Sequence, residues 1–203
     1  SGEINYEMEG MLNIPISEKV AMRVSGYHEN NGGFIDYVDV TPAGTPTGFS
    51  DKDVNDEVAT GARVDVALYA SENLSLRGSF SYDRREVDGQ DQFTVGAPGL
   101  TGFFPILQPA DDESYLAEFE VDWNIGSGSI ISTTSYYDQS SFVLNDQSNN
   151  APLVFLTGGG NPLEIGTPNN SSHKEITHET RYVSAWEGPL QSIVGVFYTK
   201  REE

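Results

Sequence analysis

The stretch MLNIPISEKVAMRVSGYHENNGGFIDY, residues 11–37, reads as a strand, a tight turn near Ser17–Lys19 and a longer strand. Leu12, Ile14, Ile16, Val20, Met22 and Val24 fall on one side, and Asn13, Arg23, Ser25 and Glu29 on the other. Side chains of a strand alternate between the two faces of its sheet, so this period-two pattern predicts one apolar and one polar face. The fold depends on what the apolar face meets. It is either covered by a second protein layer or solvated by lipid.

The same alternation continues along the chain, and helical periodicity is nearly absent. It predicts eight strands, at about 4–16, 20–38, 59–70, 74–86, 114–125, 130–143, 176–185 and 192–200. Short turns are expected at 17–19, 71–73, 126–129 and 187–190. Between these hairpins lie long polar loops: TPAGTPTGFSDKDVNDE (41–57), a segment containing GAPGLTGFFPILQPADDE (96–113), and NDQSNNAPLVFLTGGGNPLEIGTPNNSS (145–172). Short turns at one end and long loops at the other are the plan of an outer-membrane barrel. A soluble sandwich has more even spacings, with turns every 8–12 residues or so.

Ala62, Val64, Val66, Leu68 and Ala70 share a side against Arg63, Asp65, Ala67 and Tyr69. Leu74, Leu76, Phe80 and Tyr82 oppose Ser75, Arg77, Ser79, Ser81 and Asp83, and Tyr115, Phe119, Val121 and Trp123 oppose Glu118, Glu120 and Asp122. Tyr115 and Trp123 are about 26 Å apart along their strand. A tilt of about 40° brings that to about 20 Å along a barrel axis, somewhat under an outer apolar band of about 25 Å. Other tyrosines gather near strand ends, where an amphipathic ring suits a lipid–water boundary or simply a strand. The segments IISTTSYYDQ and ITHETRYVSA fit either phase. Glu179 and Arg181 go to the polar face because charge facing lipid costs about 2–4 kcal/mol.

Composition sets further bounds. The chain has 203 residues, 37% of them hydrophobic, and no apolar run long enough for a membrane helix. A spanning strand needs only about 10 residues with every second one apolar. The net charge of −20 excludes nucleic acid as a partner bound through its phosphates. With no Cys, disulfides, cysteine zinc sites and thiol nucleophiles are excluded. Both ends read as strand without a closing turn, which predicts a piece of a longer polypeptide.

Asn13, Pro15, Ala21, Arg23, Gly26, Tyr27, Gly33, Phe34 and Ile35 in the opening segment resemble an early barrel hairpin of TonB-dependent outer-membrane receptors. Asp53, Val54, Asn55 and Asp56 leading into Gly61 and Arg63 look like the next hairpin, and STTSYYD and ITHETRYVSA like later strands. The resemblance covers nearly all of the chain outside the long loops. It implies an all-β, antiparallel up-and-down transmembrane barrel, of which residues 1–203 supply eight consecutive strands out of about 22. It implies a Gram-negative outer-membrane location, lipid around the barrel, and uptake of a scarce small-molecule nutrient, with iron–siderophore complexes the commonest cargo. Energy arrives through a TonB complex that acts on a plug, and neither plug nor coupling box is represented in these residues. The resemblance implies a transporter, with no enzyme activity and no cofactor.

On this reading Arg23, Arg63, Asp65, Arg77, Glu118, Glu120, Asp122, Glu179 and Arg181 line the lumen. Phe103, Phe104 and Phe155, in the apolar loop stretches LTGFFPIL and APLVFL, either touch ligand or pack within the loops. DKDVNDE (51–57) lacks the Gly and Glu that a calcium hand needs at its sixth and twelfth positions. His173 and His178, five apart on a strand, point to opposite faces, which disfavours a metal pair. Glu118 and Glu120 have no nucleophile or base placed beside them, and TGGGNP (157–162) lacks the strand-to-helix setting of a phosphate cradle. Two alternatives remain at this point: a passive porin or small closed eight-stranded barrel, and a secreted β-sandwich binding carbohydrate.

Overall fold

The computed structural model describes residues 4–40, 44, 46–148 and 165–203. Among them there is no helix. The strands are β1 (Tyr6–Pro15), β2 (Val20–Asn31), β3 (Asp36–Tyr37), β4 (Glu57–Ser71), β5 (Leu74–Val87), β6 (Thr101–Gly102), β7 (Ala110–Asn124), β8 (Gly128–Asp146), β9 (Gly166–Ser184) and β10 (Ile193–Glu202). Eight of these form one antiparallel sheet in the order β1-β2-β4-β5-β7-β8-β9-β10, so each long strand pairs with its neighbours along the chain. β3 and β6 pair with each other in parallel, outside that sheet.

The four short connections lie at one end. Ser17 Oγ accepts from the amides of Lys19 and Val20 at 3.2 and 3.1 Å in the first. Asn124 Oδ1 accepts from Gly126 N–H at 2.8 Å in the third, where Gly126 turns the chain at φ 84°. The long connections from β2 to β4, from β5 to β7 and from β8 to β9 leave and re-enter the sheet at the other end.

Several boundaries differ from expectation. β2 stops at Asn31 rather than running to Val38, because the amides of Phe34 and Ile35 both donate to Asn55 Oδ1 and not to a strand partner. β7 begins at Ala110, and β8 and β9 run on together to the pair Asp146↔Gly166. Residues 169–172, Asn-Asn-Ser-Ser, carry no apolar alternation, yet they are strand because β8 supplies their hydrogen-bond partners. Pairing is a non-local property that side-chain pattern does not report.

The register shows what each face contains. Asn13, Arg23, Asp65, Ser79, Glu118, Ser135, Thr177 and Thr199 form one row across all eight strands. The adjacent row on the other face is Ile14, Met22, Val66, Gly78, Phe119, Thr134, His178 and Tyr198. Among the described residues nothing forms a layer over the apolar face. Val66 is 39% exposed, Phe80 47% and Phe119 49%. Among the described residues, the elements in contact are strands paired within a sheet. This rules out the two-sheet sandwich for the described residues. β1 and β10 are the edges and do not touch, so these eight strands do not close on themselves, which removes the small closed barrel.

The well-buried apolar residues lie at the long-loop end instead. Ile35, Tyr37 and Val54 are 1%, 1% and 3% exposed, with Phe49, Phe104 and Leu107 packed around them. Gly33 permits this packing: a Cβ there would stand 1.7 Å from the Asp53 carbonyl oxygen.

Candidate functional site

All nine charged residues singled out in the sequence stand on the polar face. The row containing Asp65 also holds Arg23 and Glu118, and the next holds Arg77, Glu120 and Glu179. Asp122 and Arg181 share a third row through Ile131, and Arg63 lies opposite Ser25 and Ser81. The uncertain phase of β8 and β9 is thereby settled, since Glu179 lies across β8 from Thr133, itself opposite Glu120.

Much of this charge is paired. Arg63 reaches both oxygens of Asp65, at 2.9 and 3.1 Å from Nε. Arg77 lies 3.4 Å from Glu120, Arg181 3.7 Å from Glu179, and Arg201 2.8 Å from Glu175. Ser79 donates to Glu118 at 3.2 Å. Exposed pairs of this kind each stabilise by about 0–1 kcal/mol, so their effect is to orient side chains rather than to hold the sheet together. The polar side of β1, β2, β4, β5 and β7 encloses an open hollow of about 750 Å³, lined by Asn13, Arg23, Asp65, Arg77, Glu118 and Glu120 among others. Asp122, Glu179 and Arg181 lie outside it on the same face.

The apolar face is a band with two ends. At the short-turn end Leu74, Trp123, Ile130, Tyr182 and Val194 form one row. Toward the loops Tyr82 and Tyr115 stand side by side, with ring centroids 5.1 Å apart. Eight residues of strand separate the rows, about 26 Å. Beyond Tyr82 the same face becomes charged: Arg84 bonds Asp111 at 2.6 Å and Glu86 at 2.8 Å. The other tyrosines near strand ends divide between faces. Tyr136, Tyr182 and Tyr198 are on the apolar side, while Tyr27, Tyr69 and Tyr137 are on the polar side, in rows with Asp83, Asp122 and Glu175.

One polar patch interrupts the band. Thr134 and Thr180 engage the two ring nitrogens of His178 at 2.8 and 3.0 Å, and Ser132 meets Thr180 at 2.9 Å. His173 is on the opposite face, 3.4 Å from Glu175. Among the described residues no group of three His, Cys, Asp or Glu converges as metal ligands.

The loop aromatics occupy different places. Phe104 packs on Tyr37 with centroids 5.0 Å apart, so it belongs to the loop core and not to an exposed patch. Phe103 is half-buried, and Phe155 lies outside the described residues. Sequence reasoning missed the residues that organise this end: Asn55, Tyr37 and Gln108. Asn55 is 6% exposed, and besides its two amide bonds it donates to Asp91 at 3.0 Å. Gln108 donates to the Tyr37 hydroxyl at 3.3 Å and accepts from the Asp146 amide at 3.0 Å, tying the first two long connections to the end of β8. Burial pushes the Tyr37 phenol above its ordinary value; the Gln108 bond pulls it down and the charge of Asp146 raises it. The signal for this cluster was present as Phe34-Ile35-Asp36-Tyr37, but the same alternation also describes the end of a strand.

Compared with protein-family models, with curated proteins and with solved structures, the chain matches none.

Proposed function

We propose that this chain is part of the wall of a transmembrane β-barrel in a Gram-negative outer membrane, of the TonB-dependent receptor type. The observation that carries the reading is the uncovered apolar face. It carries Trp123 and Tyr182 at one end and Tyr82 and Tyr115 at the other, and it gives way to ion pairs beyond Tyr82 and Tyr115. Backbone groups in hydrocarbon must be bonded internally, and a sheet continued into a closed barrel does this without free edges. Lipid then solvates Leu68, Phe80 and Val121, while Arg23, Arg63, Asp65, Arg77, Glu118, Glu120, Asp122, Glu179 and Arg181 line a wet lumen. The rigid loop cluster sits on the outer side, where a scarce nutrient is first met. By resemblance the cargo is an iron–siderophore complex, and a TonB-coupled plug supplied elsewhere in the protein drives its passage.

Tryptophan quenching tests the membrane part. With Trp186→Phe, Trp123 is the remaining indole. In mixed micelles with lipid brominated on its acyl chains, Trp123 fluorescence is expected to fall strongly. Unchanged fluorescence means that the face does not meet lipid. Saturable binding of a ferric siderophore tests the cargo separately, and its absence with quenching intact removes the cargo while leaving the barrel.

A further inference from the structure

The apolar face changes character beyond Tyr82 and Tyr115. Arg84, Glu113, Ser140 and Ser172 form the first row past these rings, and Asp111, Phe142 and Asn170 lie in the next. Along β7 the two rows stand about 7 and 13 Å beyond Tyr115. They border a hollow of about 600 Å³ on the same side of the sheet as the apolar band. Its charged groups are fixed: Arg84 grips both oxygens of Asp111 at 3.3 and 2.6 Å, and the Tyr115 hydroxyl donates to Glu113 at 2.9 Å. Ser140, Asn170 and Ser172 are exposed, and among the described residues their side chains have no hydrogen-bond partner.

We propose that this hollow holds the saccharide headgroup of a glycolipid in the leaflet around the loop end of the barrel. Depth selects the class: an aromatic row marks the boundary of the hydrocarbon, so the groups just past it meet headgroups. The chemistry selects hydroxyls. Fixed carboxylates accept from sugar hydroxyls, the Asn170 amide donates, and the two serines do either. Phe142 offers an apolar patch to the carbon face of a sugar ring. Arg84 already answers Asp111 and Glu86, and Glu113 adds a further negative charge, so a bare phosphate is disfavoured. The inference rests on the reading of the apolar band as lipid-facing. Trp123 quenching reports on that reading independently.

The test is native mass spectrometry of the intact protein released from detergent micelles, with either rough-type lipopolysaccharide, which has a short sugar core, or phosphatidylglycerol added. A saturable adduct is expected with the first, retained at collision energies that strip the second. Ser140→Leu and Ser172→Leu together fill the hollow and remove both hydroxyls, and are expected to weaken the adduct by about tenfold or more. Asn170→Ala removes one amide and is expected to weaken it by about threefold. Asn169→Leu, one step away on β9 and on the opposite face, leaves it unchanged. Heat-modifiable gel mobility like that of the parent establishes that each variant is folded. Free core oligosaccharide is expected to compete and inorganic phosphate is not. Equal retention of the two lipids, competition by inorganic phosphate alone, or unchanged affinity in both the double variant and Asn170→Ala overturns the proposal. Unquenched Trp123 fails the membrane reading itself, whereas intact quenching with unchanged affinity fails this site alone.

Discussion

Phe119 stands directly across the β5–β7 pair from Gly78, and the residue is half exposed. The next residue, Glu120, turns to the other face and meets Arg77. A single step along β7 thus crosses from an uncovered apolar surface to an ion-paired one. In water such a surface is a liability, and in a bilayer it is a requirement.

This contrast predicts an asymmetric response to arginine. Val66→Arg and Phe119→Arg each place a charge in the apolar band and are expected to cost about 2–4 kcal/mol of membrane assembly at mid-depth. Ser79→Arg puts the same charge beside Glu118 and is expected to be tolerated. Folding yield into lipid vesicles checks this. Equal tolerance at all three positions would refute the division of faces.

Asn55 holds two backbone amides that have left the sheet. Asn55→Ala leaves both unpaired, a loss of about 1–3 kcal/mol at the buried Ile35 amide and less at the part-buried amide of Phe34. Hydrogen exchange at Phe34 and Ile35 is expected to accelerate, while amides in the middle of β4 and β5 stay protected. Slow exchange retained at both loop amides would show that Asn55 is dispensable.

Tyr37 makes the loop cluster sensitive to alkali. Its phenol titrates higher in the folded cluster than in an unfolded chain, so its contribution is fully present below the unfolded value of about 10 and is lost as pH rises through the folded one. Phenolate absorbance is expected to lose a late-titrating component in Tyr37→Phe. If the variant has the same titration curve, less one ordinary tyrosine, the burial argument fails.

Glycine-to-alanine exchanges separate close contacts from open positions. Gly33→Ala drives a methyl group into the Asp53 backbone and is expected to break the loop packing. Gly10→Ala, on β1 with nothing within 4 Å, should leave melting and protease resistance unchanged. Gly61→Ala is intermediate, because its Cβ would meet the Tyr27 ring at 2.2 Å and displace the bond of that tyrosine to Asp83. Rapid cleavage within residues 32–56 in Gly33→Ala alone is the expected proteolysis result.

Much of the sheet was legible because alternation is a local signal. Val64-Asp65-Val66 declares its two faces without reference to any other strand, and Ser17 and Gly126 mark turns by their own chemistry. The charged positions were legible for the same reason, since parity along each strand assigned Arg63, Arg77 and Glu118 to one side. Asn55 and Tyr37 were not, because an asparagine in an acidic loop looks like an ordinary loop residue, and an aromatic in alternation after a glycine pair looks like the end of a strand, until two distant loops meet.

The sequence by itself therefore determined the strands, the side each residue takes and the end at which the short turns gather, because these depend on neighbours two to four positions away. The tertiary structure decided the length of β9, the phase shared by β8 and β9, the packing of Phe104 on Tyr37 and the bond of Arg23 to Asn13 across the β1–β2 pair. Each of those depends on which backbone lies across the pair, and a hydrogen-bond partner tens of residues distant leaves no mark on the local pattern.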